Sequence, residues 1–105
     1  MGLYEQKHGG YVYIMTNEKM GTLYIGVTAN LEKRVNEHRT KKFTDSFTAK
    51  HDLKHSVYYE TFGDIQAAIA REKHLKKWNR NWKLKLIVDM NPNWLDLYEE
   101  MLRGR

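Results

Sequence analysis

The residues best placed to do chemistry in this chain are Tyr13, Tyr24, Arg34, His38 and Glu72. Arg34 and His38 are four positions apart, so they share one face of any helix that carries them. Glu72 falls between Ala68 and Leu75 on an otherwise apolar stripe. A carboxylate turned toward a core is costly unless it is paired or holds a cation, and Lys76 at i+4 can supply such a pair. Tyr11 and Tyr13 point to one face of a strand, and Tyr24 shares a face with Gly26. Gly26 has no side chain, so a ligand or another backbone can come close there. Aromatic strand residues usually serve as core or cross-strand pairs, yet two phenols beside a bare glycine can also floor a pocket. Taken singly, an inward-leaning arginine is often a snorkelling surface residue, and a histidine near a helix end is most often an ordinary surface one. Together they converge on one sheet with a single acid.

From Arg71 to Lys85, seven basic residues (Arg71, Lys73, Lys76, Lys77, Arg80, Lys83, Lys85) stand against one acid, Glu72, with Trp78 and Trp82 among them. Lysine and arginine release counterions from a phosphate backbone, and interleaved aromatics favour nucleic acid over other polyanions.

These residues need a scaffold. Residues 11–15 are aromatic and β-branched and read as a strand. Thr16, Asn17, Gly21 and Thr22 make a turn, and residues 23–27 return as a second strand of an antiparallel hairpin. Thr28 or Asn30 can cap a helix running to about Thr40, with Leu31, Arg34, Val35 and His38 inward. Residues 41–53 read as polar and irregular, with Phe43 and Phe47 pinning the loop. Residues 54–60 suit a third strand, and Asp64 opens a helix to about Trp78 with Ile65, Ala68, Ile69, Glu72 and Leu75 inward. Residues 82–88 read as a short helix in preference to a strand. Pro92 opens a last helix, Trp94 to Leu102, with Trp94, Leu95, Tyr98 and Met101 or Leu102 inward. The order β-β-α-β-α-α-α predicts an α+β fold, helices packed on a small antiparallel sheet.

Composition narrows the partners. The 105 residues are expected to form one domain over 1–105, with a core about 9–90 and a C-terminal helix about 93–102. The absence of cysteine rules out disulfides, zinc thiolates, iron–sulfur clusters and a cysteine nucleophile. The net charge of +5 and pI of about 9.4 suit a polyanionic partner. No apolar run approaches the roughly 20 residues of a membrane span. The segment Met1 to Gly10, with Glu5, Lys7 and His8, lacks the apolar centre of a signal peptide. The expectation is a cytoplasmic protein without membrane contact; its oligomeric state is open, with a monomer favoured.

The ordered set then resembles a known family. Tyr11-Val12-Tyr13, Tyr24-Ile25-Gly26, the run Asn30 to Val35 and His38 are similar to the GIY-YIG nuclease core. Arg71-Glu72-Lys73 and Lys77-Trp78 resemble the second half of its compact standalone bacterial members, and the likeness spans roughly residues 9–90. Tyr13 to Tyr24 is 11 positions, Tyr24 to Arg34 is 10 and Arg34 to His38 is 4. The resemblance implies a three-stranded antiparallel sheet with flanking helices, and phosphodiester hydrolysis with one Mg2+ or Mn2+. It implies Tyr13, Tyr24, Arg34 and His38 as catalytic residues and Glu72 as the metal-binding acid. Gly26, Lys73, Lys76, Lys77, Trp78, Arg80 and Lys83 are the expected nucleic-acid contacts, with DNA favoured over RNA as partner and the choice between them open.

Those roles are physically coherent. Arginine offers a planar fork to a phosphate oxygen. A phenol near pKa 10 must be activated, or must instead orient a water, and His38 can share proton traffic near neutrality. Which tyrosine acts as base is open. The chain departs from the family in reading Tyr-Val-Tyr for Gly-Ile-Tyr, and in lacking the lysine some branches carry where Val27, Thr28 and Ala29 stand. Some members use a later asparagine, to which neither Asn79 nor Asn81 is assigned. Two further readings compete with an endonuclease of low sequence specificity. One is a non-catalytic nucleic-acid-binding module built on residues 71–85. The other is an interaction domain whose acidic Asp96, Glu99 and Glu100 pair with the basic stretch of another copy.

Overall fold

A computed structural model describes residues 9–103 of the chain. The elements are β1 (Gly10–Thr16), β2 (Leu23–Thr28), α1 (Leu31–Arg39), α2 (Phe47–Lys50), β3 (His55–Phe62), α3 (Ile65–Lys77), α4 (Arg80–Met90) and α5 (Tyr98–Arg103). The strands form an antiparallel sheet in the order β2-β1-β3, so the expected three-stranded sheet with flanking helices is what the chain adopts. Residues 1–8 and 104–105, at the ends of the expected domain, lie outside the described residues.

The period of two along β1 divides the core between the two faces of the sheet. Val12 and Ile14 pack with Ile25, Val57, Ala68, Leu75 and Ile87 under α3 and α4. Tyr13 and Met15 pack with Leu31, Val35, Leu53, Leu97 and Met101 under α1 and α5. Val12, Ile14, Val57, Leu75 and Ile87 are wholly excluded from solvent, and burying a side chain of this kind stabilises by about 1.5–3 kcal/mol. α3 comes close to β1 at Gly10, where a β-carbon would sit 2.8 Å from that of Ala68.

Polar side chains set the helix starts. Asn30, Ser46, Asp64 and Asn79 each accept a backbone N–H from the first turn that follows. Ser46 thereby starts α2 inside the stretch read as irregular, and Asn79 makes α4 longer than the expected 82–88 segment.

The C-terminal region departs further. Residues 94–97 are not helical; α5 begins at Tyr98, where the Asp96 carboxylate accepts the backbone N–H. The buried Asn91 amide bonds the carbonyls of Val57 and Leu95 and accepts the Leu95 N–H, holding a turn in which Trp94 has φ 54°. Trp94 is buried from that turn, while Leu95 and Leu102 are exposed and Leu97 and Met101 face the core. The acids of this region bond within the chain: Asp96 to Arg39 and Ser56, Glu100 to Tyr59, Glu99 to Arg103. No helix among the described residues is long and apolar enough to cross a membrane.

Candidate active site

Register places the first two candidates. Tyr13 lies opposite Gly26, and Tyr24 opposite Met15. Both phenols rise on the α1 side of the sheet, with ring centroids 6.4 Å apart. Gly26 is buried beneath them, and a β-carbon there would fall 2.4 Å from both Cζ and the hydroxyl oxygen of Tyr13. The group that needs the missing side chain is therefore the Tyr13 ring itself, rather than a ligand.

α1 brings in the next two. His38 is buried, with 5% exposure, and is no surface histidine. Its ring centroid lies 5.6 Å from those of both tyrosines. Nε2 is 2.9 Å from the Tyr13 hydroxyl, and Nδ1 is 2.7 Å from Oγ1 of Thr48. Burial, then the neighbouring Arg34 charge, lower the pKa of His38 to about 4. Burial, then Tyr24, raise that of Tyr13 well above the phenol range, against the pull of the Arg34 cation. At neutral pH the pair is uncharged. This corrects the expectation of a histidine titrating near neutrality: desolvation makes the resting imidazole a hydrogen-bond partner and not a half-protonated shuttle.

Arg34 sits at the rim, one-third exposed, instead of on the inner stripe. Burial works against its charge, but the Glu37 carboxylate, 3.0 Å from Nη1, and the two tyrosines hold its pKa up. Its guanidinium lies 5.7 Å over the Phe43 ring. Beside it a hollow is lined by Thr28, Ala29, Asn30, Lys33, Arg34 and Glu37. An arginine anchored on one side and open on the other can turn donors toward a phosphate.

Glu72 is buried on α3, in line with Ala68 and Leu75, and its Oε2 is 2.6 Å from Nζ of Lys76. Lys76 lines a cleft of about 320 Å³ with Leu23, Tyr24, Ile25, Phe47 and Lys83. Tyr24 and Lys76 meet at this cleft, but Glu72 is not among its lining residues, and α3 packs on the face of the sheet opposite Tyr13 and His38. No group of three or more His, Cys, Asp or Glu residues is arranged to hold a metal among the described residues. The donor set fits a different kind of site. Mg2+ commonly takes one or two carboxylates and fills the rest of its octahedron with water and substrate phosphate. A lone partly shielded carboxylate meets that requirement if Lys76 yields.

The expected nucleic-acid contacts divide. Lys73, Lys76 and Lys77 are exposed on α3, and Lys83 reaches the cleft from α4. Arg80 donates to the carbonyls of Met20 and Gly21 at 2.6 and 2.8 Å, tying α4 to the β1–β2 turn. Arg71 forks onto Glu60 of β3 and lies 5.3 Å from the Trp78 ring centroid. Trp78 is half-buried, edge-on to the exposed Trp82 at 5.7 Å. Arg71 and Arg80 therefore hold the fold together within the basic stretch. Thr48 and Glu37 join the site without a signal of their own in the sequence beyond the Ser46 cap. Phe47, expected to pin the loop, does so by stacking 6.2 Å from Tyr24.

Comparison with known proteins follows the same lines. The model of the GIY-YIG catalytic domain matches residues 9–85. A UPF0213 protein of Syntrophus aciditrophicus is 37% identical over 82 residues, covering 78% of this chain and 92% of that one. A UPF0213 protein of Clostridium perfringens is 40% identical over 77 residues, covering 73% and 81%. The UvrABC system protein C of Methanococcus maripaludis is 30% identical over 92 residues, 84% of this chain but 17% of that longer protein. No solved structure gives a significant match. The chain belongs to the GIY-YIG catalytic-domain family, a family of nucleases, and groups with its small UPF0213 members.

Proposed function

We propose that this chain is a divalent-metal-dependent endonuclease that hydrolyses phosphodiester bonds of DNA with low sequence specificity, on substrates of the repair or recombination type. The observation that carries the reading is the buried Tyr13–His38 hydrogen bond, with Tyr24 against both rings and Arg34 at the rim. In this reading the Tyr13 phenol, held by His38, orients the attacking water at its oxygen. Tyr24 flanks the same water, and Arg34 turns its fork to a non-bridging oxygen as negative charge develops. Glu72 would hold one Mg2+ or Mn2+, which when bound acts as a Lewis acid on the phosphate. Lys76 and Lys83 bracket the substrate strand at the cleft, with Lys73, Lys77 and Trp78 extending the contact along α3. The chain works as one domain and a monomer in this account, in the cytoplasm where DNA is met.

The test is cleavage of plasmid and branched DNA in Mg2+ or Mn2+, with Glu72→Ala protein prepared in parallel. If the native protein cuts nothing that Glu72→Ala does not also cut, the reading fails. One observation favours a second reading, a nucleic-acid-binding module without catalysis: Lys76 already neutralises Glu72. Tight, salt-sensitive binding with no metal-dependent product is the outcome that selects it.

A further inference from the structure

The Tyr13–His38 pair is not the end of the buried chain. Thr48, 2% exposed, places Oγ1 2.7 Å from Nδ1 of His38, and Oγ of Ser46 lies 3.2 Å beyond. Ser46 in turn accepts the Ala49 N–H. α2 has only four residues, too few to hold a shape by helix propensity alone. Its shape comes from the Ser46 cap and from the fully buried Leu53, whose N–H bonds the Thr48 carbonyl at 2.8 Å. Those two anchors fix the hydroxyl of Thr48 against the imidazole.

A neutral imidazole carries its proton on one nitrogen, and the bond made by the other decides which. The Tyr13 hydroxyl is buried, and it has one proton to donate, with Nε2 in reach. A buried O–H left without an acceptor is strongly disfavoured, and the Arg34 guanidinium, which also bonds this hydroxyl, can only donate, so Nε2 accepts. The proton then resides on Nδ1, which needs an acceptor of its own. Thr48 is that acceptor, and its own O–H is free to go on to Ser46.

We propose that Thr48 is a positioning residue for the site: by accepting the Nδ1 proton of His38 it keeps Nε2 bare toward Tyr13, so the phenol oxygen keeps its lone pairs for the substrate side. The kinetic part of this rests on the nuclease reading; the spectroscopic part does not. In the 15N-labelled protein at neutral pH, ring-nitrogen shifts of His38 are expected to show protonated Nδ1 and unprotonated Nε2. Thr48→Val should shift that pattern toward the other tautomer or a mixture, and Thr48→Ser should restore it. On cleavable DNA, Thr48→Val should lower kcat roughly 10- to 100-fold, by analogy with the partners that orient metal-ligating histidines, with KM little changed. Thr48→Ser should stay within a few-fold of the native protein. A native protein with the proton on Nε2, or a Thr48→Val protein with the native shifts, overturns the proposal even if that variant melts lower. The first of these needs no variant to fold. The expected shifts in a protein that cuts no DNA would leave Thr48 in its role and remove the nuclease reading alone.

Discussion

Replacing Gly26 by alanine tests the packing on which the site is built. The added methyl would lie 2.4 Å from Cζ and the hydroxyl oxygen of Tyr13, where ordinary contact starts near 3.4 Å. Relief therefore asks about 1 Å of movement from the end of a ring that is 1% exposed. His38 and Tyr24 confine that ring, with centroids at 5.6 and 6.4 Å. A displacement of that size takes the phenol out of range of Nε2, now 2.9 Å away. Overpacking of this kind costs about 1–3 kcal/mol. For a domain of this size that lowers Tm by roughly 4–20 °C. Gly63→Ala is the control, because its β-carbon meets nothing within 4 Å; it should be neutral or stabilise by about 0.4–1 kcal/mol. Tyr13→Leu removes Cζ, Cε1 and the hydroxyl but keeps apolar bulk. In that background Gly26→Ala should cost under about 1 kcal/mol, so the double-mutant cycle shows strong coupling. Thermal melts of the four proteins decide the matter. A Gly26→Ala protein that melts with the native one, or a Gly26→Ala change that costs as much in the Tyr13→Leu background, would mean that the Tyr13 ring does not fill the space above Gly26.

Other expectations follow from single contacts. The His38 ring should titrate by NMR near about 4, held down by burial and by Arg34, with Tyr13, Tyr24 and Glu37 also facing it. Unfolded histidine protonates through about 6.5, so the stability His38 confers is complete above that pH and is lost as pH falls through about 4. The fall in Tm between pH 7 and 4 should accordingly be steeper in the native protein than in His38→Gln. Lys76→Met removes the cation at Glu72. Calorimetric affinity for Mn2+ should tighten by about fivefold or more, the upper end for an exposed ion pair, because only the lysine of this pair is exposed, and weaker binding would count against Glu72 as the metal acid. Asn91→Ala strips the bonds to Val57 and Leu95. It should lower urea stability by about 1–3 kcal/mol, since the Val57 carbonyl is left without that partner.

How much of this was legible depends on how local each contact is. The hairpin, the shared strand face of Tyr24 and Gly26, and the helical spacing of Arg34 and His38 are short-range patterns, and the fold keeps all of them. The buried alignment of Glu72 with Ala68 and Leu75 follows from helical period in the same way. What could not be read is set by parts distant in sequence. His38 is buried because residues 46–53 fold back over α1, bringing Thr48 to it, and nothing in a polar stretch announces that return. Gly26 leaves room, by sequence alone, for a ligand or another backbone; only the hairpin register shows that the Tyr13 ring takes it. The last helix starts late because Asn91 reaches back 34 positions to Val57, a contact no helix-start signal at Pro92 reveals.

A single-turnover cleavage rate on labelled branched DNA in Mn2+, taken beside binding to the same DNA, separates a nuclease from a binding module. Native, Arg34→Ala and Glu72→Ala proteins are compared at one salt concentration. All three should bind within a few-fold, since the lysines of α3 and α4 are intact, while cleavage falls by at least about 100-fold in each variant. Native protein that binds yet leaves the DNA whole, or variants that cut at the native rate, contradicts the nuclease reading.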